Sequence, residues 1–421
     1  VTVRLRGLTW DHPRGYLVLE ALANALAPTV TVRWHRQPLA DFESRPLRTL
    51  ADDYDLLVID HPGLGAAVRD GALRPLDDIA GSAELTQWRT AAIGASFASY
   101  TLDGRQWALP LDAAAQVSAC RPDLMTERPV SWAQACQAVR STRSTLCLGG
   151  PHALLMFSAI CLASGTPPAA AAPDPAGEGE ASTGSAGRAE AGSGPIGGEF
   201  VPVTAGTAAL DVMADLLAHA DRDLSQRDPI GVLDAMATAD GPAYCPLVYG
   251  YLTYQRRTDL GRRNGHRARR RTAATAGSAP PPHRLVTFDA PAGPGGIGSV
   301  LGGTGLAVTR SCTGKGATAA AAAQLGLLLS EQVQTRVFAQ LGGQSAARRA
   351  WHDATADRAS GGFYSATRAS VEQAWVRPRF AGYPEFQLAA SAVLRDGLLA
   401  GQPHGGLVSR VNELFARAGR P

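Results

Sequence analysis

Within its first sixty residues the chain alternates strand and helix patterns, and that alternation leaves few folds open. Val3-Arg-Leu-Arg-Gly-Leu8 switches between apolar and polar side chains as a half-buried strand does, so residues 2–9 are expected to be the first strand. Pro13 stands where the first turn of a helix tolerates it, and Tyr16 to Ala27 carries apolar residues at helical spacing. Val30-Thr-Val-Arg-Trp34 reads as a second strand. Asp41 is placed to cap a helix through Ala51, and Tyr54 to Ile59 is a third, buried strand. Strand, helix, strand, helix, strand in so short a stretch predicts an α/β protein with a parallel sheet and covering helices. In such sheets ligands gather beyond the carboxyl ends of the strands. The stretches there are Thr9-Trp-Asp-His-Pro-Arg-Gly15 and Ile59-Asp-His-Pro-Gly63.

At 421 residues the chain is too long for one hydrophobic core, and two bodies are expected. A third stretch looks built to meet the two strand ends. Residues 291–305 hold seven glycines and run into the apolar Leu306-Ala-Val308. They read as a loop that lets backbone approach a ligand and lets the chain pass between two bodies at a flexible point. All three stretches are expected to line one cleft that closes on a small molecule.

Between these markers, Ala98 to Leu111 reads as a hairpin around Asp103-Gly104, with Asp112 at the first crossing into the other body. Helices are expected from Ser131 to Arg140, from His152 to Ser164, over 208–219 and over 230–237, with a short strand at Thr145 to Leu148. Residues 165–199 turn to Ala, Gly, Pro, Ser and Glu without periodicity, the composition of a disordered insertion. Ala243 to Tyr251 is a strand that delivers aromatics to a surface, and Leu285 to Phe288 is a strand entering the glycine-rich stretch. Residues 256–284 carry nine arginines with no aromatic for base stacking, which fits a solvated loop better than a nucleic-acid patch. After Val308 the chain is helical, with an alanine-rich run to Leu341 that Gly342-Gly343 ends, and further helices near 365–375, 386–399 and 406–417.

Composition narrows the functional classes. The chain is 45% hydrophobic and 18% charged, with a net charge of +3 that gives no case for nucleic acid or an acidic membrane as partner. No apolar run reaches the eighteen or so residues of a membrane span. Six cysteines show no metal spacing and lie mostly among apolar neighbours, so free buried thiols are favoured over disulfides, with a tilt towards a reducing compartment. Val1 opens almost directly on a strand. The chain is therefore expected outside the cytoplasm if an upstream signal has been removed, and inside it if Val1 is the true start.

The paired Asp-His-Pro tripeptides, 11–13 and 60–62, offer two carboxylates and two imidazoles. They could supply acid–base chemistry or a divalent metal site, yet no third ligand motif accompanies them, and helix capping with hydrogen bonds to a polar ligand is the favoured reading. No metal and no cofactor is expected. Trp10, Tyr249, Tyr251 and Tyr254 are the aromatics expected to face the cleft, where a flat ring covers the apolar face of a sugar-like solute. Trp34, Trp88, Trp132, Trp351 and Trp375 fall within expected elements and are assigned to packing. Gly302-Gly-Thr-Gly305 precedes a strand and lacks the lysine of a phosphate loop, so it is not read as a nucleotide site. Its amides could still donate to a ligand oxygen.

These residues carry a resemblance. Leu8-Thr-Trp-Asp-His-Pro-Arg-Gly15, Tyr54-Asp-Leu-Leu-Val-Ile-Asp-His-Pro62, Tyr244-Cys-Pro-Leu-Val-Tyr-Gly250, Leu301-Gly-Gly-Thr-Gly-Leu-Ala-Val308, Gly342-Gly-Gln-Ser345 and Arg377-Pro-Arg-Phe380 resemble stretches of the extracellular solute-binding proteins that serve ABC importers, in the carbohydrate-binding branch. The resemblance implies a two-lobed type II periplasmic-binding-protein fold with a ligand cleft between the lobes. Lobe one would be 1–110 plus 306–421 and lobe two 111–305, with low-complexity insertions at 165–199 and 256–284. Ligand contacts carried over by position are Trp10, His12, Asp60, His61, Asp112, Tyr249, Gly302, Gly303 and Thr304. The implied function is capture of a small polar solute by a monomer that delivers it to an ABC transporter permease. Two alternatives stay open: a cytoplasmic sequestering or sensing protein, and a biosynthetic enzyme or lyase on the same scaffold using Asp11, His12, Asp60 and His61.

Overall fold

The computed structural model describes residues 2–169, 198–255 and 283–419. The expected insertions at 165–199 and 256–284 fall mostly outside the described residues. Strand β1 (Val3–Trp10) lies parallel to β2 (Val30–Gln37) along its whole length, Val3 opposite Val30 and Trp10 opposite Gln37. It is also parallel to β3 (Leu56–Ile59), all four of whose residues are buried. The helix between β1 and β2, α1 (Pro13–Ala21), starts at the expected proline. It ends earlier than the periodicity predicts, and the chain continues through turns to β2.

Two long strands carry the chain between bodies. β4 (Ala108–Cys120) is thirteen residues long and buried throughout. Its first half pairs antiparallel with β7 (Leu301–Thr309), and its second half with β5 (Tyr244–Tyr249) and β6 (Val286–Phe288). β7 continues antiparallel to β3, so the sheet runs β2-β1-β3-β7-β4-β5. Residues 101–106 form the expected hairpin, with Asp103 and Gly104 both at positive φ in its turn.

The glycine-rich stretch differs from the expectation. Gly302, Gly303 and Gly305 lie inside β7 rather than in a loop. A Cβ on Gly302 would stand 2.6 Å from the Tyr249 ring, and one on Gly305 would stand 2.6 Å from the Tyr100 ring. At Gly302 and Gly305 the missing side chains make room for aromatic rings. Upstream, Gly293, Gly295 and Gly298 bring the small hairpin of 292–297 against the end of helix α2 (His152–Ala163).

The helices after β7 divide differently from the expected boundary at residue 306. Helix α4 (Lys315–Leu328) lies on β1. Helices α5 (Tyr383–Leu399) and α6 (His404–Ala418) pack instead on α2 and on α3 (Val203–His219), and α5 also meets residues 61–63 after β3. Phe386 and Phe415 close with Phe200 into an aromatic cluster there. The alanine-rich run breaks after Leu328 and resumes to Leu341, where Gly342 in the left-handed region ends it as expected. All six cysteines are free thiols. Among the described residues no helix is long and apolar enough to cross a membrane.

Candidate functional site

The end of β1 builds one wall from local sequence. His12 takes the N-cap position of α1, its Nδ1 accepting from the Arg14 backbone N–H at 3.1 Å. Pro13 sets the first turn, and Gly15 has no Cβ because the Trp10 indole lies 2.4 Å from where one would be. Trp10 is only 3% exposed, with His12 stacked on it at 5.0 Å and Phe42 at 6.0 Å. Its ring is part of a packed stack, and His12 reaches Tyr251 edge-on at 5.1 Å. Burial, and then the Arg14 charge, lower the His12 pKa to about 3, so the imidazole is neutral.

Arg14 points from the first turn of α1 to the crossing strands. Its Nε donates to Asp112 Oδ2 at 2.7 Å, while Oδ1 of the same carboxylate accepts from the Thr304 N–H at 2.7 Å and its hydroxyl at 3.0 Å. Asp112 sits on β4 and Thr304 on β7, at the irregularity between Thr304 and Gly305. One buried ion pair thus ties the first helix to both crossings. Gly303 takes φ +100° there, where a side chain is disfavoured, and a Cβ would stand 2.5 Å from the Asp112 carbonyl.

The end of β3 supplies a second ion pair. Asp60 caps the following turn by accepting from the His61 N–H at 2.8 Å, and both its oxygens accept from Arg377 Nη2 at 2.9 and 3.0 Å. Burial pushes the Asp60 carboxyl up, but Arg377 and then His61 outweigh it and hold it well below the ordinary carboxylate range. His61 is fully buried behind it, and burial, with Arg377, lowers its pKa to about 4. Arg377 also donates to Gln387 Oε1 at 3.2 Å. The segment that carries it is a third crossing: Trp375 exchanges backbone hydrogen bonds with Ser299 and Leu301, and Arg379 donates to the Ala98 carbonyl.

These walls enclose a cavity of about 420 Å³. Trp10, Arg14, Asp60, Tyr249, Tyr251 and Arg377 line it, with Ala114 of β4 and residues 302–304 of β7. At the N-terminus of α2, His152 also lines it, edge-on to Tyr249 at 5.8 Å, its pKa lowered by burial to about 3.

Of the expected contacts, Trp10, Asp60, Tyr249, Gly302, Gly303 and Thr304 lie on the cavity wall. His12, His61 and Asp112 do not. They stand one layer behind as a helix cap, a buried imidazole under Asp60 and the partner of Arg14. Tyr254 is also off the wall and donates to Asp234. Asp11 is exposed, pairing with Arg36, so the two Asp-His pairs do not converge. Sequence reasoning passed over Arg14, His152, Arg377 and Gln387. Arg14 was legible as a charge in the first turn of a strand-end helix. Arg377 has no local signal, because its partner is 317 residues away.

No protein-family model and no curated protein matches the chain. Solved structures do. Maltose-bound MalE3 of T. maritima superposes with a TM-score of 0.73 at 16% identity, over 98% of this chain and 99% of that one. A solute-binding protein of an ABC transporter from Agrobacterium radiobacter K84, in complex with ribitol, gives 0.73 at 16% identity over 99% and 98%. One from Thermotoga lettingae TMO, bound with α-D-tagatose, gives 0.71 at 14% identity over the whole of both chains. The chain therefore has the two-lobed type II periplasmic-binding-protein fold.

Proposed function

We propose that this chain, built on the two-lobed binding-protein fold, is a monomeric solute-binding protein. It captures a small polar, sugar-like solute between its lobes and delivers it to the permease of an ABC importer. The observation that carries this reading is the cavity of about 420 Å³, lined from both bodies at the point where three crossings meet. That size lies within the range of small-molecule sites, about 300–1,000 Å³. Its wall mixes tyrosine rings with buried charged groups already held in place, as recognition of a hydroxyl-rich solute requires. The maltose, ribitol and tagatose held by the structural neighbours bring sugars and polyols to this chain as the class to test.

In this reading one lobe comprises the residues before Ala108 together with β7 and α4. The other comprises those from Cys120 to Ser299 together with α5 and α6. Trp10, Asp60, Tyr249, Gly302, Gly303 and Thr304 shape the ligand site, while His12, His61 and Asp112 hold it from behind. Closure shifts an open–closed equilibrium, and the closed form is what a permease recognises.

The test is thermal unfolding of the full chain with a panel of mono- and disaccharides, polyols and their acidic derivatives. A ligand at a hundred times its Kd adds about 2.7 kcal/mol of stability and raises the Tm. A shift with at least one member is expected. No shift across the panel overturns the reading.

A further inference from the structure

The cavity holds an arginine whose donors are not used up. Arg14 is only 6% exposed and lies on the wall. Its Nε is committed to Asp112, and neither of its NH₂ groups has an acceptor among the described residues. The guanidinium lies over the Tyr251 ring at 5.0 Å and the Trp10 ring at 5.9 Å, cation–π contacts that hold it in place. Asp112 stands behind the wall and divides its two oxygens between Arg14 and Thr304. The planar fork of an arginine matches an acceptor with two oxygens.

The balance of charge around the cavity points the same way. Five arginines and three carboxylates line it. Arg377 already holds Asp60, and Arg69 holds Asp70. With Arg14 paired to Asp112 behind the wall, that leaves Arg45 and Arg48 against Glu385, one positive charge in excess. A solute with one negative charge would balance it.

We propose that the solute carries an acidic oxyanion, a carboxylate or a phosphate ester on a sugar-like body, and that Arg14 binds it through its two free NH₂ groups. This rests on the solute-binding reading and names its ligand class.

The experiment is calorimetric titration of the full chain with matched sets of a neutral hexose, its uronate and its 6-phosphate, taken for glucose, galactose and mannose. An acidic member is expected to bind about tenfold or more tighter than its neutral parent, and its affinity to fall with added salt. Preference for the uronate assigns a carboxylate, and preference for the ester assigns a phosphate. Arg14→Lys keeps the charge and removes the fork, and in a variant whose circular dichroism shows it folded it is expected to lose about tenfold for the acid and less for the neutral parent. A neutral hexose that binds as tightly as its acidic partners overturns this inference and leaves the solute-binding reading standing. So does an acid preference that Arg14→Lys leaves intact. Silence across all nine compounds overturns this inference, and the wider thermal panel then decides the solute-binding reading.

Discussion

Buried histidines set the chain's response to acid. His12, His61 and His152 all have pKa values lowered by burial, to about 3, 4 and 3. In the unfolded chain each titrates near 6.5. Between pH 6.5 and about 4 the unfolded state therefore binds protons that the native state refuses, and stability falls as the pH falls. Each such histidine contributes about 1.4 kcal/mol per pH unit across that window. Urea midpoints measured from pH 7.5 to 4.5 are expected to be flat above 6.5 and to drop below it, with His152→Phe removing about a third of the slope. A profile that does not bend near 6.5 contradicts the buried, neutral assignment. The Asp-His-Pro echo was legible in the sequence, but its two copies are used differently. In the first the histidine caps the helix, whereas in the second the aspartate does. A tripeptide does not record which of its polar groups its neighbours will bury.

Among the elements, β7 shows how a pattern can be read correctly for position and wrongly for cause. Its glycines do mark a crossing, yet they sit in a paired strand facing the rings of Tyr249 and Tyr100. Gly305→Ala is expected to force Tyr100 aside and cost about 1–3 kcal/mol by overpacking. Gly326, in α4, has nothing within 4 Å of its missing Cβ, so Gly326→Ala is expected to stabilise by about 0.5–1 kcal/mol. Equilibrium unfolding of the two variants checks both signs. Equal effects would show that glycine content, and not what faces each glycine, governs the crossing. The rings were not predictable from the glycines, because Tyr100 and Tyr249 come from distant parts of the chain and meet β7 only across the sheet.

For the molecule as a whole, the crossings at 108–120, 301–309 and 375–379 limit motion to bending about one region. The Arg14–Asp112–Thr304 network lies within it. Small-angle scattering of the free chain is expected to give a radius of gyration of about 22 Å or somewhat above, the compact value for this length, and a smaller one with a ligand that raises the Tm. A radius unchanged by such a ligand would place binding in a rigid cleft.

The sequence by itself determined the α/β class, the first three parallel strands, the hairpin at Asp103-Gly104 and the convergence of two strand ends with residues 302–304. Each of these is written in local periodicity, turn chemistry or the position of strand ends, which short stretches of chain encode. Only the tertiary structure decided that α5 and α6 belong with α2 and α3, that Asp60 is held by Arg377, and that Asp112 stands behind the wall with Arg14 in front of it. Those facts depend on groups tens to hundreds of residues apart meeting where water is excluded. Burial and pairing then fix what each side chain does, and a linear pattern carries neither.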